Sequence, residues 1–268
     1  MPNWKLTIEY EGTRYSGWQV QHNTKKTIQG KLLEAARDAL GDVQLQGAGR
    51  TDAGVHAAGQ VASLRSRKAI RAADLVWEIN QRLPADIHVV HAEPASERFH
   101  PRHDATERIY LYQVSTRRSA FVKPFVWWVR DRLDVAAVER ASQSLVGLRD
   151  FSRWTDRRSE AEDHRVKVER TGVGIDGDLV LIRIGASHFL WKMVRKLVAA
   201  LVDVGRGELS VEAFDALLKE PGPHYEPTAP PAGLFLEAVL YPGDVFTRPL
   251  EALVPVRSLP RQEGRFSL

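Results

Sequence analysis

Apolar and polar residues alternate with period two through Trp4-Lys5-Leu6-Thr7-Ile8-Glu9-Tyr10, the pattern of a strand with one buried face. From residue 27 the spacing turns helical: Ile28, Leu32, Ala35, Ala36 and Ala39 fall on one side, Thr27 suits the N-cap, and Gly41 stops the run. A short strand at 43–46 leads into a glycine-rich segment and a second, at 59–64, leaves it. Helical spacing over 72–82 (Ala72, Leu75, Val76, Ile79) then passes through Pro84 to a strand near 86–92.

The second half repeats this order. Residues 107–116 read as a strand, and Asp134 caps a helix expected to end at Gly147. Strands follow near 165–174 and 178–185, joined by a turn at Asp176-Gly177-Asp178. Residues 188–204 read as one long apolar helix, and Ser210 caps another over 211–219. Proline-rich residues 221–231 lead to a last strand, Leu234 to Leu240. Each half is therefore β-α-β-β-α-β, the ferredoxin-like order. The expectation is an α+β protein in which two ferredoxin-like halves join their antiparallel sheets around a central cleft. Residues 1–102 form the first half, residues 103–242 the second, and residues 243–268 an extended tail without periodicity. The boundary falls in Phe99-His100-Pro101-Arg102-His103.

Composition adds exclusions. The 268 residues contain no cysteine, which removes disulfides, thiolate nucleophiles and cysteine-based metal centres and suits a reducing cytoplasm. No apolar run reaches the length of a membrane span, and the N-terminus has no secretory pattern. The formal charge of +4 is mild, but arginines and lysines cluster at 65–71, 117–118, 157–158 and 165–167, and the guanidinium fork suits phosphate.

The chemistry concentrates in Gly47-Ala48-Gly49-Arg50-Thr51-Asp52-Ala53-Gly54-Val55-His56. Three glycines here mark unusual backbone angles or a close approach to a ligand. The segment lacks the lysine of a phosphate-binding loop and the spacing of a dinucleotide fingerprint. On spacing alone, Asp52 is either a turn former or a reactive carboxylate. His56 reads as a structural hydrogen-bonding residue, and His100 with His103 lacks a third ligand for a metal. Trp127, Trp128 and Trp154 read as core or interface.

Six motifs in order carry a resemblance. They are Tyr10 to Gln21 with Thr27-Ile28-Gln29-Gly30, the Gly47–Val61 segment, Leu83-Pro84-Ala85-Asp86-Ile87 with Arg98 to Arg102, Arg108-Ile109-Tyr110-Leu111-Tyr112, Phe189 to Arg195 with Val204-Gly205-Arg206-Gly207, and Gly233-Leu234-Phe235-Leu236. Together they resemble the TruA family of tRNA pseudouridine synthases over most of the chain. The match thins at 151–170 and after Pro242.

The resemblance implies an isomerase that converts uridine to pseudouridine at positions 38, 39 and 40 of the tRNA anticodon stem-loop. It implies a cytoplasmic homodimer with no cofactor and no metal. It assigns the nucleophile to Asp52, with attack at C1′ or C6 or abstraction of a sugar proton all open, and its cationic partner to Arg195. Tyr110 becomes the stacking partner of an extruded base, and Arg50 a residue that fills the vacated space or binds phosphate. Tyr112, on the same strand face as Tyr110, reads as core. A synthase of this fold with another RNA target, or a non-catalytic RNA-binding protein, fits the same fold.

Overall fold

The computed structural model describes residues 1–156, 163–220 and 222–257. Among the described residues, ten strands and five α-helices follow one another: β1 (Asn3–Tyr10), α1 (Ile28–Leu40), β2 (Val43–Gly47), β3 (His56–Ser66), α2 (Ala72–Asn80), β4 (Ile87–Ala95), β5 (Glu107–Ser115), β6 (Trp127–Trp128), α3 (Val135–Gln143), β7 (Gly147–Asp150), β8 (Arg165–Asp176), β9 (Leu179–Ala186), α4 (Met193–Arg206), α5 (Val211–Lys219) and β10 (Leu234–Leu240).

The expected caps are in place. The hydroxyl of Thr27 accepts from the Gly30 N–H at 3.2 Å, the Asp134 carboxylate from Ala137 at 2.9 Å, and the Ser210 hydroxyl from Ala213 at 3.1 Å. Each satisfies one of the amide donors that the first helical turn leaves unpaired. Gly41 ends α1 at φ 81°, which a side chain would resist.

Two features differ from the periodicity. Helix α3 stops at Gln143, not Gly147; Gly147 takes φ 109° and opens the short strand β7, which pairs with the start of β8. Helix α4 begins at Met193, because Lys192 adopts a left-handed conformation (φ 62°, ψ 4°) that a helix cannot continue through. Residues 188–192 are therefore a turn, although their apolar spacing imitates a helix.

All ten strands share one sheet, ordered β4-β1-β3-β10-β5-β9-β8-β7, with β2 on β3 and β6 on β5. The first half contains β4-β1-β3-β2, all antiparallel. The second contains β10-β5-β9-β8, again antiparallel, with β7 added at the edge. The halves meet where β10 runs parallel to β3 through Phe235–His56 and Leu236–Ala57. Strand β3 carries β1 along one edge and shares the other: its early residues pair with β10, and residues 62–66 with β2. The segment 48–55 emerges in this fork, and that position sets the site.

The helices cover one face of the sheet in a continuous core that includes Leu32, Val138, Leu197 and Phe214. Strands β5 and β9 are buried on both faces. Tyr110, Tyr112, Ile182 and Ile184 turn toward the helices, whereas Leu111, Leu179 and Leu181 meet Val256, Leu250 and Leu253 from the chain after Pro242. That stretch, described to Arg257, has no helix or strand yet is firmly attached. The Gln113 side-chain carbonyl accepts from the Leu253 and Val254 amides at 2.8 and 3.2 Å. The buried Arg183 guanidinium makes a bidentate pair with Glu237 at 2.7 and 2.8 Å and donates to the carbonyls of Arg248 and Pro249.

Candidate active site

The segment 48–55 is held by its carbonyls. Trp18 N–H donates to the Thr51 carbonyl at 3.1 Å, the Gln60 amide to that of Gly49 at 3.0 Å, and the buried Arg108 guanidinium to that of Ala48 at 3.3 Å. The Tyr10 and Thr51 hydroxyls share a buried hydrogen bond of 2.8 Å. Asp52 opens a turn closed by Val55 N–H on its carbonyl at 3.2 Å. Gly54 takes φ 78° in the third position of that turn, where a left-handed residue is required. The neighbouring chain approaches so closely that a Cβ on Gly12 would lie 2.0 Å from the Val55 carbonyl oxygen, and one on Gly47 2.5 Å from the Trp18 ring. Asp52 does sit in a turn, and the turn is fixed from several sides.

His56 lies behind this turn and is fully buried. Its Nδ1 accepts the Gly12 N–H at 3.0 Å, so the ring proton is on Nε2, which donates to the Pro124 carbonyl at 2.8 Å. Burial holds its pKa below the usual histidine value, the bond to the Pro124 carbonyl and the nearby Glu11 opposing this in part. It ties the two halves together as a neutral ring stacked on Phe235 at 4.8 Å.

A cleft of about 470 Å³ opens at the fork in the sheet, within the usual range of a small-molecule site. Asp52, Tyr110 and Arg195 all line it, as does Arg50. Two side chains approach the Asp52 carboxylate. Arg195 Nη1 stands 3.6 Å from Oδ2, an ion pair rather than a hydrogen bond, and Trp191 Nε1 donates to Oδ1 at 3.1 Å. The aspartate side chain is 29% exposed and the arginine 14%. Arg195 does not swing freely, since its Nε donates to the Ala229 carbonyl at 2.7 Å. The fold thus brings together a carboxylate, a guanidinium and an aromatic ring from three distant parts of the chain.

Tyr110 forms the apolar wall, edge-on to Phe189 with centroids 5.1 Å apart. Burial raises its pKa well above the ordinary phenol range, and the nearby Tyr10 and Asp52 add to this, so its hydroxyl stays neutral. Tyr112, two residues on, is completely buried and donates to the Pro230 carbonyl at 2.7 Å, which makes it part of the core.

Known proteins resemble this chain over most of its length. The family model described as tRNA pseudouridine synthase matches residues 6–104 and 141–242. The tRNA pseudouridine synthase A of Xanthobacter autotrophicus is 39% identical over 246 residues, spanning 90% of this chain and all of the relative. That of Afipia carboxidovorans is equally similar, 39% over 246 residues with the same coverage. The tRNA pseudouridine synthase A 2 of Bacillus cereus is 35% identical over 243 residues, 89% of this chain and 99% of the relative. The chain belongs to the tRNA pseudouridine synthase family.

In this family member several expected residues have distinct surroundings. Arg50 is exposed at the rim, its Nε donating to Gln19 Oε1 at 3.1 Å. Trp154 is core, stacked on Tyr225 at 5.0 Å, while Trp127 packs edge-on to Tyr112 and Trp128 is partly exposed. His100 caps a turn: its Nδ1 accepts from Arg102 and His103 N–H at 3.2 Å. Among the described residues no group of three histidines or carboxylates is placed to hold a metal, and no helix is long and apolar enough to cross a membrane. Some clustered arginines are already paired, Arg71 with Asp74, Arg117 with Asp178 and Arg165 with Asp163. Arg157 and Arg158, with Ser159 to Glu162 of the divergent stretch, lie outside the described residues.

Periodicity gave no sign of Trp191, which reaches Asp52 only because residues 188–192 leave the helix. Nor did it signal Asp156, whose carboxylate binds Lys192 at 2.6 Å and the buried Lys196 at 2.8 Å. Those two ammonium groups hold its pKa down to about 2.

Proposed function

We propose that this chain, an isomerase converting uridine to pseudouridine in tRNA, acts at positions 38, 39 and 40 of the anticodon stem-loop, as a cytoplasmic homodimer. The reaction breaks the N1–C1′ bond and forms C5–C1′; the proton lost from C5 is balanced by one gained at N1. No electrons are transferred and nothing is consumed.

The observation that carries the reading is the meeting of Asp52, Arg195 and Tyr110 in one cleft. Asp52 is the carboxylate that reacts with the uridine. Arg195, 3.6 Å away, sets a guanidinium charge beside that carboxylate. A base in a stem must leave its stack to reach the carboxylate, and the flat, neutral ring of Tyr110 supports the extruded base. Arg50 stands two residues before Asp52 at the open rim, where it meets the RNA that the base has left.

Incubation of the protein with unmodified tRNA, followed by mapping of pseudouridine at single-nucleotide resolution, tests the reading. Signal at 38–40 that is lost in Asp52→Asn supports it. Signal at other uridines removes the positional assignment, and an active Asp52→Asn removes the assignment of the carboxylate.

A further inference from the structure

A carboxylate turns easily about its last torsion, which is broad and nearly two-fold. A reacting carboxylate therefore needs both oxygens located. Arg195 approaches Oδ2 of Asp52 from α4, whereas Oδ1 takes the indole N–H of Trp191 at 3.1 Å. Two partners on two different oxygens define the plane of the group.

We propose that Trp191 is a positioning residue for the isomerisation, its indole N–H fixing the orientation of the Asp52 carboxylate; the proposal rests on the reading of Asp52 given above. The turn that delivers Trp191 is built for a fixed position. Lys192 is the only non-glycine residue with positive φ among the described residues, a conformation that costs free energy and persists where its surroundings enforce it. In that conformation the Lys192 side chain pairs with Asp156, which also pairs with buried Lys196. The Lys192 ammonium also stands 4.6 Å from the Trp191 ring centroid, so charge and ring hold each other. Had the helix begun at residue 188, as its apolar spacing suggests, Lys192 would be helical and this geometry would not arise. The indole remains 42% exposed at the cleft mouth, so a smaller aromatic ring fits without disturbing the core.

Trp191→Phe keeps a ring and removes the N–H. Steady-state kinetics on unmodified tRNA should show kcat lowered about tenfold, the order of one hydrogen bond to a charged acceptor, with KM changed less than about twofold. Trp191→His, which retains a ring N–H, should recover part of the loss. Equal thermal midpoints show that the variants are folded. Wild-type kcat in Trp191→Phe, a defect confined to KM, or equal defects in the two variants overturns the proposal. Asp52→Asn measured alongside separates the two readings. If it turns over, the assignment of Asp52 fails; if it is inactive while Trp191→Phe matches the wild type, only the role of Trp191 fails.

Discussion

Replacement of Arg195 by alanine should lower turnover far more than RNA binding. The guanidinium stands 3.6 Å from Oδ2 of Asp52. At that separation Coulomb's law gives about 1 kcal/mol in water and about 5 kcal/mol at an effective dielectric constant near 20. The two side chains are 14% and 29% exposed, so the environment is intermediate and a loss of about 2–3 kcal/mol follows. If that stabilisation acts in the transition state, the rate falls roughly 30- to 150-fold. Arg195→Lys should fall between, because an ammonium keeps the charge but cannot both face Asp52 and replace the Nε bond to the Ala229 carbonyl. The assay is single-turnover release of tritium from tRNA labelled at C5 of uridine, with saturating enzyme, beside filter binding of the same RNA. A rate within about threefold of wild type, or a defect that appears only in binding, would refute the electrostatic reasoning.

Tyr110 and Tyr112 should separate sharply in that assay. Tyr110→Ala removes the wall of the cleft and should abolish most turnover, whereas Tyr112→Phe should retain it and lose about 1 kcal/mol of stability with the bond to Pro230; a slow Tyr112→Phe enzyme of normal stability would contradict this. Glu237→Leu strands the Arg183 guanidinium in a site where the pair is 0% and 9% exposed. Urea denaturation should show a loss of about 3–5 kcal/mol, largely recovered by adding Arg183→Met; additive losses in the double variant would argue against the pairing. His56 has a folded-state pKa below 6.5, so the unfolded chain binds its proton first. Its contribution to stability is complete above about pH 6.5 and declines as the pH falls toward the depressed native value. Denaturation midpoints at pH 7.5 and 5.5 should therefore differ less in His56→Phe than in the wild type, and an unchanged difference would exclude His56 as the source.

Local chemistry was sufficient for much of this molecule. The alternation in residues 4–10, the caps at Thr27, Asp134 and Ser210, and the glycines around Asp52 specify strands, helix starts and a constrained turn through contacts within a few residues. Their order specifies two ferredoxin-like halves, because that order leaves few ways to cover the apolar faces. Periodicity failed where distant parts of the chain overrule it. Residues 188–192 carry a helical pattern, yet they form a turn that ends at the left-handed Lys192, where tertiary contacts such as its pairing with Asp156 lie far outside the local sequence. The chain after Pro242 has no period of its own, yet Arg183, Gln113 and the back of β5 and β9 give it a place. In Asp52 itself both determinants meet. Its turn is written in the adjacent glycines, but its partners arrive from a helix and a turn far along the chain. They reach it because β3 divides one edge between β2 and β10, which opens the sheet at the point where that turn emerges.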